Sequence, residues 1–204
     1  MSAISAKVRS DRRANRSEVA ILEATRELLI EVGVRGLTVE GVAARAGVAK
    51  TTVYRRWRSK EELALAVLLT MVKEIVAVPD LGNIRDELIT FVNGAVRILG
   101  KTLMGRVMQG LVSDFAANED LGKAFREQIV SMRLAEVRRL IERAIERGEV
   151  RSDVDVVLVH ELLFGPIYYR LLLSGGKLDR RLAERVVDAV LPGIRAGARY
   201  SRAR

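Results

Sequence analysis

Between Thr38 and Lys60 the chain carries two helical patterns, each too short to fold alone, with one glycine between them. Val39, Val42, Ala43 and Ala46 recur at helical spacing; Thr38 precedes them as an N-cap and Gly47 stops them. After the turn residues Gly47, Val48 and Ala49 comes KTTVYRRW, residues 50–57, with Val53 and Trp57 four apart as its inward anchors. A helix this short survives only when braced by neighbours, because its nucleus costs more than its few hydrogen bonds return. Two such helices joined by a tight turn have the geometry of a helix-turn-helix, in which the second helix enters the major groove of duplex DNA.

The bracing is legible on both sides. From Ser17, the positions Ile21, Leu22, Thr25, Leu28, Leu29 and Val32 predict a first helix ended by Gly33. On the other side, Ser59-Lys60-Glu61-Glu62 matches a capping box, and Leu63, Ala64, Val67, Leu68, Met71 and Ile75 carry a fourth helix to Pro79. Beyond Pro79 the periodicity predicts five more helices, over 83–99, 102–116, 119–147, 153–174 and 179–191. Asn118, Asp153 and Asp179 are their expected N-caps, and Gly148 and Gly175-Gly176 their stops. No stretch alternates like a strand, so the fold class is all-α, with about nine helices. In the helix from 119, Val130, Leu134, Val137, Ile141 and Ala144 form the packing face, and Arg133, Glu136, Arg143 and Glu146 the wet one. The helix from 153 is apolar nearly all round, which demands burial on more than one side, and Gly165-Pro166 predicts a kink within it.

Charge is concentrated where the short helices lie. The chain has 204 residues and a net charge of +9; residues 1–60 hold 13 Lys or Arg against 6 Asp or Glu. Clustered cations gain affinity for a phosphate backbone by releasing its counterions. Lys50, Thr51, Thr52, Tyr54, Arg55 and Arg56 face outward from the second short helix, with donors for base edges and phosphates. Lys60 and Thr38 stand where free N–H groups at helix starts favour anions. With no cysteine, disulfides and thiolate metal sites are excluded, and neither a metal nor another cofactor is expected. A single histidine, no phosphate-cradling glycine loop and no paired acid/base motif leave an enzyme little to work with. The basic N-terminus lacks the apolar run of a signal peptide, and charges are expected to interrupt every apolar stretch before membrane-spanning length. The expected setting is the cytoplasm, with no membrane partner.

The run GLTVEGVAARAGVAKTTVYRRWRSKEELALAVL closely resembles the DNA-binding region of the TetR (tetracycline-repressor) family. The family's pattern is a Thr before the second helix, then A-x-x-A-G-V, a T-[LIV]-Y core, an aromatic residue and S-K-E. In the same way LLFGPIYYRLLLSGGKLD resembles the eighth helix and following turn of one subgroup. The resemblance implies that Lys50, Thr51, Thr52 and Arg55 face bases or adjacent phosphates, while Thr38, Tyr54, Arg56 and Lys60 mainly clamp the backbone. Many relatives carry Tyr or His at position 55 and Phe at 57; Arg55 here can take a guanine bidentately, and Trp57 is expected to fill the head's core.

It further implies a repressor that binds a near-palindromic operator as a homodimer, its reading helices about 34 Å apart, and that a small-molecule effector releases it. On this reading residues 1–15 are a disordered basic arm, 16–60 the DNA-binding domain, 61–79 a connecting helix and 80–204 the ligand-binding and dimerisation domain. Leu163, Ile167, Leu182, Val186, Val187 and Val190 are expected at the dimer seam. Phe91, Met104, Met108, Leu111, Phe115, His160, Phe164 and Tyr168 are expected at the ligand pocket. The competing expectation is a DNA-binding protein without effector, constitutive or architectural, with a body filled solid by side chains.

Overall fold

The structure, a computed structural model, describes the backbone of residues 2–73 and 78–197 and the side chains of 15–72 and 78–197. The described residues form helices α1 (Ser2–Glu31), α2 (Gly33–Gly36), α3 (Val39–Ala46), α4 (Lys50–Tyr54), α5 (Lys60–Lys73), α6 (Ile84–Leu99), α7 (Leu103–Val112), α8 (Glu119–Phe125), α9 (Ser131–Glu146), α10 (Val156–Tyr169) and α11 (Arg180–Ile194). Wider π-helical turns, Arg126–Val130 and Arg170–Ser174, lie between α8 and α9 and after α10. No strand occurs among the described residues, only an isolated bridge between Val150 and Arg195.

Two compact units make up the chain: residues 1–71 with 106–122, and 72–105 with 123–204. The segment 106–122, assigned from sequence to the body, therefore groups with the N-terminal helices. Gly110 on α7 allows this, because a Cβ there would come within 2.8 Å of Val34 Cγ2. In this first unit α1 packs on α3, and α3 on α4. Ile21, Leu29, Leu37, Val42, Val53, Leu63 and Leu68 fill its core at 0–1% exposure, each burial contributing about 1.5–3 kcal/mol.

Helix ends follow local chemistry. Thr38 Oγ1 accepts from Gly41 N at 3.0 Å, and Gly47 closes α3 at φ +65°, a left-handed conformation that costs glycine nothing. Ser59 Oγ accepts from Glu62 N, and Glu62 reaches back to Arg58 N at 2.7 Å, one residue beyond the N-cap N–H of an ideal capping box. Asn118 caps α8 and Asp179 caps α11 as their sequence predicts. Asp155, not Asp153, caps α10, accepting from both Val157 N and Leu158 N. Helical backbone begins at Ser2, so residues 2–15 are not the disordered arm expected; no glycine or proline interrupts the chain before Gly33. Ile75 lies outside the described residues.

The second unit packs α11 on α6 and α10, and α9 on α6 and α10. Leu88, Val92, Leu140, Ile141, Leu163, Ile167 and Val187 are its innermost side chains, all at 0% exposure. Helix α10 runs unbroken through Gly165 and Pro166 and then widens into the π turn. Contrary to the expectation of interrupting charges, Val156–Ser174 is 19 residues long with mean hydropathy 1.5, enough by length and composition to cross a bilayer. Leu163 and Ile167 on it are instead core residues of this unit.

Burial also reaches charged groups. Glu87 of α6 is 0% exposed; its Oε1 accepts from Leu81 N and Gly82 N, and its Oε2 from Arg147 Nη2 at 3.0 Å. The spacing predicts Arg133 and Glu136 on a wet face, yet each is 7% exposed, since α9 is covered by α10 as well as α6.

Candidate nucleic-acid interface

Helix α4 is five residues long, ending at Tyr54 rather than at Trp57. Its last turn is nonetheless hydrogen bonded: Arg55 N donates to Thr51 O, and Arg56 N and Trp57 N both donate to Val53 O at 3.0 Å. Val53 is 0% exposed and anchors the helix. Trp57 is only partly covered, so it borders the core of the first unit instead of filling it.

What remains outward is the predicted set. Lys50, Thr51, Tyr54, Arg55 and Arg56 are exposed, Tyr54 at 46%, and Thr52 is half-buried. Arg55 follows the last residue of α4 as its C-cap, in αR geometry, with its side chain exposed. Thr38 is exposed at the start of α3, its hydroxyl oxygen engaged as the cap described above.

Three of the cations expected to contact DNA already hold partners. Lys50 Nζ lies 3.1 Å from Glu40 Oε1, both side chains more than half exposed. Arg56 Nη1 pairs with Glu18 of α1. Lys60 Nζ donates to the carbonyl of Arg35 at 3.1 Å. Glu40's own backbone N–H and then Lys50 hold its carboxyl below the ordinary range, so at neutral pH it is a full anion beside the cation. Glu18 and Glu40 are partners of these cations that the sequence reading missed; a carboxylate in the first turn of α3 gives no signal of the lysine it meets across the turn. Behind this face, Arg45 bridges Glu27 and Glu31 of α1, tying α3 to α1.

The expected pocket residues divide between the units. Met108 and Leu111 are buried in the first, and Phe115 there is half-buried. Phe91, Met104, His160 and Phe164 are at most 8% exposed in the second, with Tyr168 half-buried. Phe164 sits at the centre of an aromatic group: its ring centroid is 6.0 Å from Phe91, edge-on, 4.9 Å from His160 and 6.5 Å from Tyr168.

The expected seam residues need correcting. Leu163, Ile167 and Val187 are 0% exposed within a single protomer, and so belong to its core and not to a surface. Leu182 and Val186, though mostly covered, line an open, mainly apolar groove of about 610 Å³ with Leu162, Pro166, Tyr169 and Val190, to which Arg170 and Arg185 also contribute. The apolar side chains left outward on α10 are Val157, Leu158, Leu162 and Tyr169, at 44–59% exposure.

Residues 21–67 match the family described as "Bacterial regulatory proteins, tetR family", and residues 78–190 match "Tetracyclin repressor-like, C-terminal domain". A curated relative from Mycobacteroides abscessus, "DNA-binding transcriptional repressor TetR", is 33% identical over 92% of this chain and 98% of its own. The Bacillus subtilis "HTH-type transcriptional regulator YdeS" is 30% identical over 87% of this chain and 89% of its own. Among solved structures, the "TetR family transcription regulator SCO0332" superposes with TM-score 0.76 at 32% identity, covering 87% of this chain and 98% of that one. The polar face of α4, the capped turn before it and the helical body thus coincide with both halves of one family: the chain is a DNA-binding transcriptional regulator of the TetR family and not an enzyme.

Proposed function

We propose that this regulator is a repressor that binds a near-palindromic operator in the cytoplasm as a homodimer and leaves it when a small ligand enters the body. The observation that carries the reading is the division of α4, with Val53 sealed inward at 0% exposure and Lys50, Thr51, Tyr54 and Arg55 outward. Arg55 and Lys50 read base edges or adjacent phosphates with Thr51 and Thr52; Thr38, Tyr54, Arg56 and Lys60 hold the backbone. Ion pairs at Lys50 and Arg56 keep these cations extended in the free protein and exchange their carboxylates for phosphates on DNA.

The dimer is supported by the apolar surface on α10 and α11, whose Leu158, Leu162 and Tyr169 stand about half exposed beside the groove. Two copies packed there form a four-helix seam. Ligand release is supported by the Phe91, His160, Phe164 and Tyr168 group. A ligand that prefers one body conformation shifts the population toward it, and one with equal affinity for both shifts nothing.

Leu162→Glu tests the seam. It places a charge on an exposed position, so the helical circular dichroism should persist while light scattering reports a monomer and the gel shift on genomic fragments weakens. A dimer that survives this change would contradict the assignment.

A further inference from the structure

Arg133 is 7% exposed, deep for a guanidinium, and its protein partner is a single carboxylate. Glu136 Oε2 takes Nη1 at 3.0 Å, and among the described residues nothing accepts from Nε or Nη2. Only Nη1 is spent on the protein, so the Nε and Nη2 donors are free for an acceptor from outside it. That edge is open: the side-chain nitrogen sealed without a partner among the described residues is Arg143 Nε, not a nitrogen of Arg133. Nε and Nη2 together form the side of a guanidinium that receives a carboxylate through two parallel hydrogen bonds.

The surroundings share one composition. The guanidinium carbon lies 5.7 Å from the centroid of the Phe91 ring, which meets Phe164 edge-on at 6.0 Å. His160, 8% exposed, is stacked at 4.9 Å on Phe164 and has no hydrogen-bond partner among the described residues. Tyr168 joins the same ring at 6.5 Å. Burial holds the imidazole below its ordinary pKa and the phenol above, and the charge of Arg133 is felt at both. A neutral imidazole and a phenol each bring one donor, and the rings bring apolar walls.

We propose that Arg133 is the anchor of the effector site and that the effector class is a small planar carboxylic acid. Its carboxylate lies on the Nε/Nη2 edge of Arg133, its apolar body against Phe91 and Phe164, with His160 and Tyr168 as supplementary donors. Glu136 orients the guanidinium through Nη1 and, as a like charge, limits the affinity. The inference rests on the ligand-released reading for its consequence on DNA, but the binding it describes is measurable without DNA.

Titration calorimetry of the full-length protein with benzoate, and with its neutral isostere benzamide, tests it. Benzoate should bind about tenfold tighter than benzamide, a preference that Arg133→Gln abolishes. Glu136→Gln keeps the anchor and removes the competing charge, so benzoate should bind about threefold tighter to it. The double variant Arg133→Gln with Glu136→Gln leaves no buried unpaired charge and serves where the single variant fails to fold; it should not bind benzoate. Equal affinity for acid and amide, benzoate binding retained in the folded double variant, or no benzoate binding at about 20 mM would each overturn the proposal. Benzoate that binds as described yet leaves the gel shift unchanged supports the site and counts against ligand release. Release of DNA by a neutral or cationic compound, with benzoate silent, overturns the acid class and leaves ligand release standing.

Discussion

Lys50 and Arg56 each pair with a carboxylate of their own chain; on the proposed reading a DNA phosphate competes for the same cations, and that competition sets how strongly the face binds before any base is read. Because Glu40 and Lys50 are both well exposed, their pair is screened by salt and yields to a polyanion at little cost. Glu40→Gln is expected to tighten binding to random duplex by about two- to threefold at about 50 mM salt, a gain that fades as salt rises. Fluorescence anisotropy against salt checks it, and unchanged affinity at low salt would show that the pair has no part in binding. His160 offers a second test at this scale, since it is the chain's one histidine. Burial is the main cause lowering its pKa; Glu161 opposes and Arg133 adds to the shift. The unfolded chain then takes up its proton first as pH falls, so stability present at neutral pH is lost as pH drops below the unfolded value of about 6.5. The midpoint of thermal unfolding should decline from about pH 7.5 to about 5.5, and His160→Gln should flatten that decline. A parallel decline in the variant would assign the effect to other groups.

Elements were most legible where a cap or a glycine marks them. Thr38, Gly47, Ser59, Asn118 and Asp179 delimit helices as their side-chain chemistry dictates. What was not legible depends on neighbours. The π turns leave no mark in apolar spacing, and Asp155 won the cap of α10 over Asp153 by a choice between two equivalent side chains. Arg133 and Glu136 were misassigned because periodicity gives a helix one packing face, whereas α9 is enclosed by α6 and α10. Glu87 is likewise a polar residue made central by its partners: it accepts from Leu81 N, Gly82 N and Arg147, fixing the turn before α6 to the end of α9. Glu87→Ala leaves the two backbone N–H groups and Arg147 Nη2 without their acceptor, while Arg147 keeps Glu149, and should cost about 3–5 kcal/mol in urea denaturation. A loss under about 1 kcal/mol would mean that water replaces the carboxylate freely.

For the whole molecule, the inward and outward sides of α4, the proposed reading face, were legible because their chemistry is local: a buried Val53, an exposed Arg55 and a turn at Gly47 lie within ten residues. The proposed seam was not, because an all-apolar helix does not say which of its sides meets its own protomer. Leu163 and Leu162 look alike in sequence, yet one is 0% and the other 48% exposed. Leu163→Glu would therefore report on folding and only Leu162→Glu on assembly. The central claim is that α4 reads duplex DNA, twice, from a symmetric pair. The most direct measurement is selection of genomic fragments by the purified protein, sequenced to find the bound duplex, with Arg55→Ala in parallel. The account expects one enriched near-palindrome whose half-sites are about one helical turn apart, and a variant that keeps the palindrome but tolerates any base at one position of each half. Fragments bound no better than random competitor, or an Arg55→Ala profile identical to the parent's, would contradict it.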